Sequence, residues 1–404
     1  MQIIEISGAD VLITAIAVWF LGTYLTNNIR LLKHYNIPAA VTGGLICSGL
    51  VTLIYVIFER QINFDMEIRN LLLLLFFSTI GLTAKLKLLI EGGKALVILL
   101  AIAAVFLVFQ DLTGVLLVKL MGYHPAYGLF GGSISLAGGH GTAIAWGTEA
   151  EQAGLIGAGE IGIAFATFGL IAGGLIGGPI GGYLIKKNNL HKPQNTESTT
   201  EKDSTKIVKE LPTINSSLGT LLLLAICVEA GELVNRFLFS NGVLLPGFLS
   251  AMLVGIVITN VADLFRVKLS DVAIERSSEL SLHLFLSMSL MSMQLWTLVS
   301  AIGPIMIVLA MQTLLMTLFA VWVVFRVMGR DYDASVIAAG FAGLGMGATP
   351  VGIANMSAIT SKYGPSAKAF IVIPLIGAFF IDLTNALVIK FFVSLPIISQ
   401  TPLP

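Results

Sequence analysis

Charge is what this sequence has least of. Aspartate, glutamate, lysine and arginine make up 11% of its 404 residues, against about 25% in ordinary soluble domains. Hydrophobic residues reach 56%, and the mean hydropathy is +0.92. A chain so poor in charge cannot keep a water-soluble surface, so it must sit in lipid. Its charges balance to a formal net of zero. No basic run offers a footprint for nucleic acid. Only two cysteines, Cys47 and Cys227, are present, both in apolar runs. That excludes a disulfide framework and a cysteine metal site. Catalytic signatures are missing too: there is no HExxH, no GxSxG and no GxxxxGKS/T. Without a nucleotide-binding loop the chain carries no ATP motor of its own, and nothing marks it as an enzyme. No basic stretch precedes the first apolar run, and no small-residue cleavage pattern follows it. That run reads as a membrane helix rather than a removed signal.

Long apolar runs are abundant. A membrane-spanning helix needs about 20 mostly apolar residues. Ten candidates fall at about 10–28, 38–58, 69–85, 94–120, 152–185, 216–236, 243–262, 278–298, 302–327 and 368–393. Two further apolar segments, 125–147 and 335–356, are broken by glycine. They read as re-entrant hairpins, which enter and leave by the same side. Positive charge favours the cytoplasmic side of a membrane protein. With both termini outside, 18 of the 23 lysines and arginines fall in inside segments. Counting either broken segment as a full span scrambles that bias. The polar segment 186–213 reads as a flexible cytoplasmic linker.

On either side of the linker lie two similar halves, 1–185 and 214–404. IPAAVTGGLICSGL (37–50) lines up with LPGFLSAMLVGIV (245–257), and LFFSTIGL (75–82) with LFLSMSLM (284–291). KLMG (119–122) lines up with RVMG (326–329), and AGGHGT (137–142) with GLGMGAT (343–349). AFATFGLIAGG (164–174) matches AFIVIPLIGAF (369–379). Each half holds five spans, an odd number, so the second half is inverted relative to the first. The expected fold is an all-α polytopic membrane protein. Its ten transmembrane helices form two five-helix inverted repeats, each with a glycine-rich re-entrant hairpin. Inverted repeats mark secondary transporters.

Lipid cannot hydrogen-bond exposed backbone, so broken helix at membrane depth must line a cavity or be buried in protein. Gly138, Gly139 and Gly141 form one break; Gly343, Gly345 and Gly347 form the other. Paired breaks of this kind present helix N-termini, whose free N–H groups favour anions. Ser135, Thr142 and Thr349 add hydroxyl groups, and His140 stands at the first tip, where its counterpart is Met346. The pair reads as a site for a small anionic solute. In GLIAGGLIGGPIGG (169–182), by contrast, small residues recur at helical spacing and read as close packing.

Ionisable groups inside a membrane are costly and usually functional. Asp382 lies mid-span with Asn385 a helical step on. Together they suit a hard cation such as sodium; a proton on Asp382, or a carboxyl satisfied by neighbouring hydroxyls, are the other readings. Asn355 follows the second hairpin closely and reads as a site residue. Glu160, near the outer end of the fifth span, reads either as functional or as interfacial. His283 reads as a satisfied polar residue, and Glu229, Glu232 and Arg236 as a rim ion pair.

The stretches SISLAGGHGT, ATFGLIAGGLIGGP, GATPVGIANM, KYGPSAKAF and PLIGAFFIDLTNALVIK resemble the bacterial sodium/glutamate symporters. The resemblance runs through both halves and skips only the linker and the extreme ends. It implies a symporter of the bacterial inner membrane that imports L-glutamate with sodium and needs no other cofactor. Relatives imply a homodimer working by an elevator-type mechanism. The family's hairpin motifs carry over to Gly138, Gly139, His140, Gly141 and Thr142, and to Gly345, Gly347, Ala348 and Thr349. The second hairpin departs from the pattern: it reads GLGMGATPVG, where a Phe-Gly-Leu-Gly run and a Thr-Ala after the proline are expected. Competing expectations are another dicarboxylate, coupling to protons, or an anion channel without coupling.

Overall fold

The computed structural model describes residues 2–34, 37–87, 93–190, 213–240, 245–293 and 301–399. Most of the expected linker, 191–212, lies outside them. The expected spans fall on helices, except that the tenth is two helices joined by a π-helical turn and residues 294–298 of the eighth lie outside the described residues. In chain order they are α1 (Ala9–Asn28), α2 (Ala39–Phe58), α3 (Glu67–Thr83) and α4 (Gly93–Leu120). The first broken segment holds two short turns, Tyr127–Phe130 and Ser133–Leu136, and then α5 (Gly139–Gln152). There follow α6 (Ala158–Lys187), α7 (Ile214–Ser240), α8 (Gly247–Leu264), α9 (Asp271–Met291) and α10 (Ile302–Val327). The second broken segment is α11 (Tyr332–Met346) and α12 (Thr349–Tyr363). Last come α13 (Ala367–Leu375) and α14 (Ile381–Val393), joined by the π-helical turn Ile376–Phe380. Pro374, inside α13, lacks the N–H that an unbroken helix would use there.

Seven of these helices, α1, α2, α4, α6, α7, α8 and α10, are long and apolar enough to cross a membrane. The protein is therefore a multi-pass membrane protein. α3 is shorter, α9 carries Asp271, Glu275, Arg276 and Glu279, and the last helix is interrupted. α2 and α8, at matching places in the two halves, both start after a proline in extended conformation, Pro38 and Pro246. α6 starts later than the apolar run suggests, because Gly154 and Gly157 hold positive φ before it.

The expectation of a purely helical chain needs one correction. β1 (Gln2–Ile6) and β2 (Arg60–Phe64) pair in parallel, with Ile4 opposite Ile62. β1 precedes α1 and β2 follows α2, so the pairing ties two helix ends together. Each strand is only five residues long, too short for its alternation to stand out beside long apolar runs.

The helices pack in two groups. α1, α2, α3, α7, α8 and α9 pack on one another, and α4, α5, α6 and α10 to α14 form the second group. Backbone-to-backbone crossings hold the first group. A Cβ on Gly43 would lie 2.0 Å from the Val18 carbonyl oxygen, and one on Gly81 would lie 2.2 Å from that of Met252. In the second group Gly169 and Gly173 of α6 lie against Met346, and Gly177 lies against Asn355. Gly169, Gly173, Gly177 and Gly181 thus serve close packing, whereas Gly178 faces open space. Between the groups runs an apolar seam: Phe77, Phe248 and Phe285 of the first meet Ile144, Trp146 and Ile389 of the second in one buried cluster. Trp146 meets Phe248 edge-on, with ring centroids 5.8 Å apart.

The glycine crossings yield a paired prediction. Gly43→Ala forces backbone apart and should lower stability by about 1–3 kcal/mol. Gly49→Ala, where nothing lies within 4 Å, should be neutral or slightly stabilising. Thermal unfolding of the purified variants checks both; equal melting temperatures would remove the crossing as a determinant.

Candidate substrate cavity

Each broken segment turns back on itself. The Tyr127 hydroxyl donates to the Ile156 carbonyl at 2.6 Å, joining the two ends of the first. At the second, the Tyr332 hydroxyl donates to the Gly364 carbonyl, and Ser366 Oγ donates to Asp333 Oδ1 at 2.6 Å. Both segments reverse at glycine. Gly139 sits at φ +69°, a conformation that costs an ordinary L-residue about 1–2 kcal/mol. The two tips touch: a Cβ on Gly139 would lie 3.6 Å from the Gly347 carbonyl oxygen.

At these tips two helices begin, α5 with 14 residues and α12 with 15. The residues before them, Gly138 and Ala348, offer no side-chain cap to the first-turn N–H groups. Helix N-termini normally satisfy these donors with a serine, threonine, aspartate or asparagine. Both helices start at a shared cavity of about 360 Å³; in α12, Pro350 has no N–H and the Val351 N–H donates to the Ala348 carbonyl at 3.0 Å, so Thr349 supplies the backbone donor there. Residues 137–142 and 347–351 form one side of the cavity, with Gly377 and Asp382 beside them. Pro38, Phe76, Ile80, Leu282 and Leu286 of the first helix group close it from the other side. The cavity therefore lies on the seam between the groups, with donors and a carboxylate on one wall and apolar side chains on the other.

Of the expected substrate residues, Gly138, Gly139, His140, Gly141, Thr142, Gly347, Ala348 and Thr349 line this cavity. His140 Nε2 shares a hydrogen bond with Thr167 Oγ1 at 3.0 Å. Ser135 does not line it: the residue is fully buried, and a Cβ on Gly162 would lie 3.3 Å from its Oγ. Gly345 is also set back, its carbonyl accepting from Gln110 at 3.0 Å.

The expected sodium residues are not brought together. Asp382 lines the cavity, partly buried. Asn385 is about 60° away around α14, as three residues of a helix must be, and its amide donates to the Ser133 carbonyl at 3.0 Å. Asn355 is used where helices pack, donating to the Gly173 and Ala339 carbonyls at 3.0 and 3.3 Å. Glu160 lines a separate cavity of about 380 Å³ with Arg69, Thr148 and Glu151. There Arg69 donates to Thr148 Oγ1 at 2.8 Å. His283 packs on Trp19, and its Nδ1 has no hydrogen-bond partner among the described residues, contrary to the expectation that it is satisfied. Arg236 pairs with Glu232 on an exposed surface.

Sequence reading missed three buried polar residues. Asp111, in the middle of α4, is fully buried and accepts from the Ser133 backbone N–H at 2.6 Å and from Ser133 Oγ at 2.9 Å. Gln110 donates to Gly345 of the second broken segment. Gln312 of α10 donates to the Gln110 and Gly131 carbonyls at 2.7 and 2.9 Å. These side chains brace both segments from behind. The signal was available: a charged residue in FLVFQDLTGV stands as deep in an apolar run as Asp382 does.

A cavity that holds two helix starts and Asp382, set within a multi-pass membrane protein, suits a membrane transporter. Comparison with known sequences places the class more narrowly. The sodium/glutamate symporter family profile matches residues 4–365. The chain is 40% identical over 386 residues to the sodium/glutamate symporter of Haemophilus influenzae, covering 94% of this chain and 96% of the relative. It is 41% identical over 395 residues to that of Escherichia coli, covering 96% and 97%. The chain belongs to the sodium/glutamate symporter family, a family of transporters and not of enzymes.

A Cβ on Gly141 would lie 3.3 Å from the Phe76 ring across the seam, so Gly141→Val drives a branched side chain into the cavity. Uptake of labelled glutamate, the solute in the relatives' names, should fall by roughly tenfold or more at equal protein. Gly178→Ala, where nothing lies within 4 Å, should transport normally. Normal uptake by both variants would place the substrate elsewhere.

Proposed function

We propose that the protein imports L-glutamate together with sodium across the bacterial inner membrane. The observation that carries this is the meeting of two uncapped helix N-termini beside Asp382 in one cavity. Glutamate brings two carboxylates and one ammonium group. The N-termini of α5 and α12 match the carboxylates, with the Thr142 and Thr349 hydroxyls beside them. Asp382 supplies negative charge for a cation, either sodium or the substrate's ammonium. Sodium at Asp382 adds positive charge beside the tips and so favours the anion. That coupling is reciprocal: glutamate tightens sodium binding by the same factor. His140, hydrogen-bonded to Thr167 Oγ1, closes the first tip.

The proposed topology is ten spans in two inverted repeats, 1–185 and 214–404, both termini outside and the 186–213 linker in the cytoplasm. The hydrogen bonds that join the ends of each broken segment support reading 125–147 and 335–356 as re-entrant hairpins. The Lys85–Asp271 ion pair at 2.8 Å is consistent with this, since both residues fall on the cytoplasmic side in that topology. In the proposed mechanism α4 to α6 and α10 to α14 move as one unit against the other helices, carrying the cavity past the seam as an elevator does. A homodimer would hold the first group fixed.

Uptake of labelled L-glutamate by purified protein in liposomes tests the reading. Saturable uptake that requires an inward sodium gradient at fixed pH is expected. Asp382→Asn should lower it by roughly tenfold or more while the protein still inserts. Equal uptake driven by a proton gradient would replace the ion, and stronger competition by another dicarboxylate would replace the solute.

A further inference from the structure

We propose that Asp111 and Asn385 form a sodium site of their own behind the first broken segment, separate from the cavity at Asp382. This rests on the sodium-coupled reading above and assigns the ion a second place.

Both side chains converge on Ser133. Asp111 holds its backbone N–H and hydroxyl at 2.6 and 2.9 Å, and Asn385 Nδ2 holds its carbonyl at 3.0 Å. Asp111 is fully buried and Asn385 is 1% exposed. The Ser133 carbonyl can only accept, so the amide must turn its nitrogen there. Its Oδ1 is then fixed at the other side of the amide group, and it has no partner among the described residues. A buried acceptor left alone is destabilising and calls for an ion or a water.

An ionised Asp111 favours the ion. The donors to Asp111 are neutral, and among the described residues no cationic side chain pairs with it. A water would satisfy Asn385 Oδ1 and leave a buried negative charge unbalanced. A small monovalent cation satisfies both, and carboxylate and amide oxygens are the ligands a hard cation takes. Gly132 completes the fit. A Cβ there would lie 2.5 Å from Asp111 Oδ1, so only glycine lets the carboxylate lie against this stretch of backbone.

An ion in this place would not touch the solute. It would fix the turn at Ser133–Leu136, which leads directly into the tip at Gly138 and Gly139. Sodium would thus order one wall of the cavity before glutamate arrives, and the coupling would run through the hairpin.

The test is thermal unfolding of the purified full chain in detergent across a sodium titration, with potassium holding ionic strength constant and no glutamate present. Wild-type protein should show a saturable rise in melting temperature with sodium. Asp382→Asn should keep a saturable sodium response, since the Asp111 site is intact. Asp111→Asn should either shift half-saturation to roughly tenfold more sodium or leave only the response of the Asp382 site, and the Asp111→Asn/Asp382→Asn double variant should lose the response. Asn385→Ala should shift the same way and serves if Asp111→Asn does not fold. No sodium response in wild type, its complete loss in Asp382→Asn, or a wild-type response in Asp111→Asn or Asn385→Ala would each overturn the site. Glutamate uptake measured on the same preparations separates the two readings. A sodium response that depends on Asp111, without glutamate uptake, keeps the site and removes the transport assignment. Sodium-driven uptake with an unchanged response in Asp111→Asn keeps the transport assignment and removes the site.

Discussion

Backbone that leaves the helix inside a bilayer must find its hydrogen bonds within the protein, and the architecture around the cavity follows from how this is done. The carbonyl groups are met by side-chain amides. Gln110 serves Gly345, Gln312 serves Gly131 and Gln110, Asn385 serves Ser133, and Asn355 serves Gly173 and Ala339. The Ser133 N–H is met by Asp111. The first-turn N–H groups of α5 and α12 are treated differently. No side chain caps them, and both helices start at the cavity. Acceptors are satisfied from behind, while both helix starts face the cavity without a side-chain cap.

The same constraint explains why the cavity lies where it does. The broken segments, their amide braces and Asp382 all belong to the second helix group. The first group contributes proline, phenylalanine, isoleucine and leucine. The wall that carries Asp382 belongs to one unit and the facing apolar side chains to the other, while Arg69 and Thr148 hydrogen-bond across the same seam at 2.8 Å. The glycine crossings within the first group, by contrast, are backbone against backbone and resist movement.

Much of the fold could be read from the chain. The apolar runs form helices, seven of them long and apolar enough to cross a membrane, because a run of that length has few other ways to satisfy its backbone in lipid. The positions of both breaks followed from clustered glycine. The site was legible only where chemistry and glycine coincide, at 138–142 and 347–349 and at Asp382. Ser135, Gly345, Asn385 and Asn355 lie close by in sequence but turn away from the cavity, and helical rotation alone cannot tell which way an amide faces until its carbonyl partner is known. Asp111 was legible as a charge deep in an apolar run, but Gln110 and Gln312 carry no such mark, and their partners Gly345 and Gly131 lie far along the chain. Two five-residue strands were hidden for a different reason, since pairing across two intervening helices leaves no mark in local pattern.

The central claim is that the two helix N-termini hold the solute together at the seam. A structure of the protein determined in lipid with L-glutamate and sodium tests it most directly. The account predicts density for the substrate between residues 138–142 and 347–349, its carboxylates on the first-turn N–H groups of α5 and α12, with Asp382 alongside. Substrate density in the outer cavity at Arg69 and Glu160, or touching only one of the two tips, would contradict it.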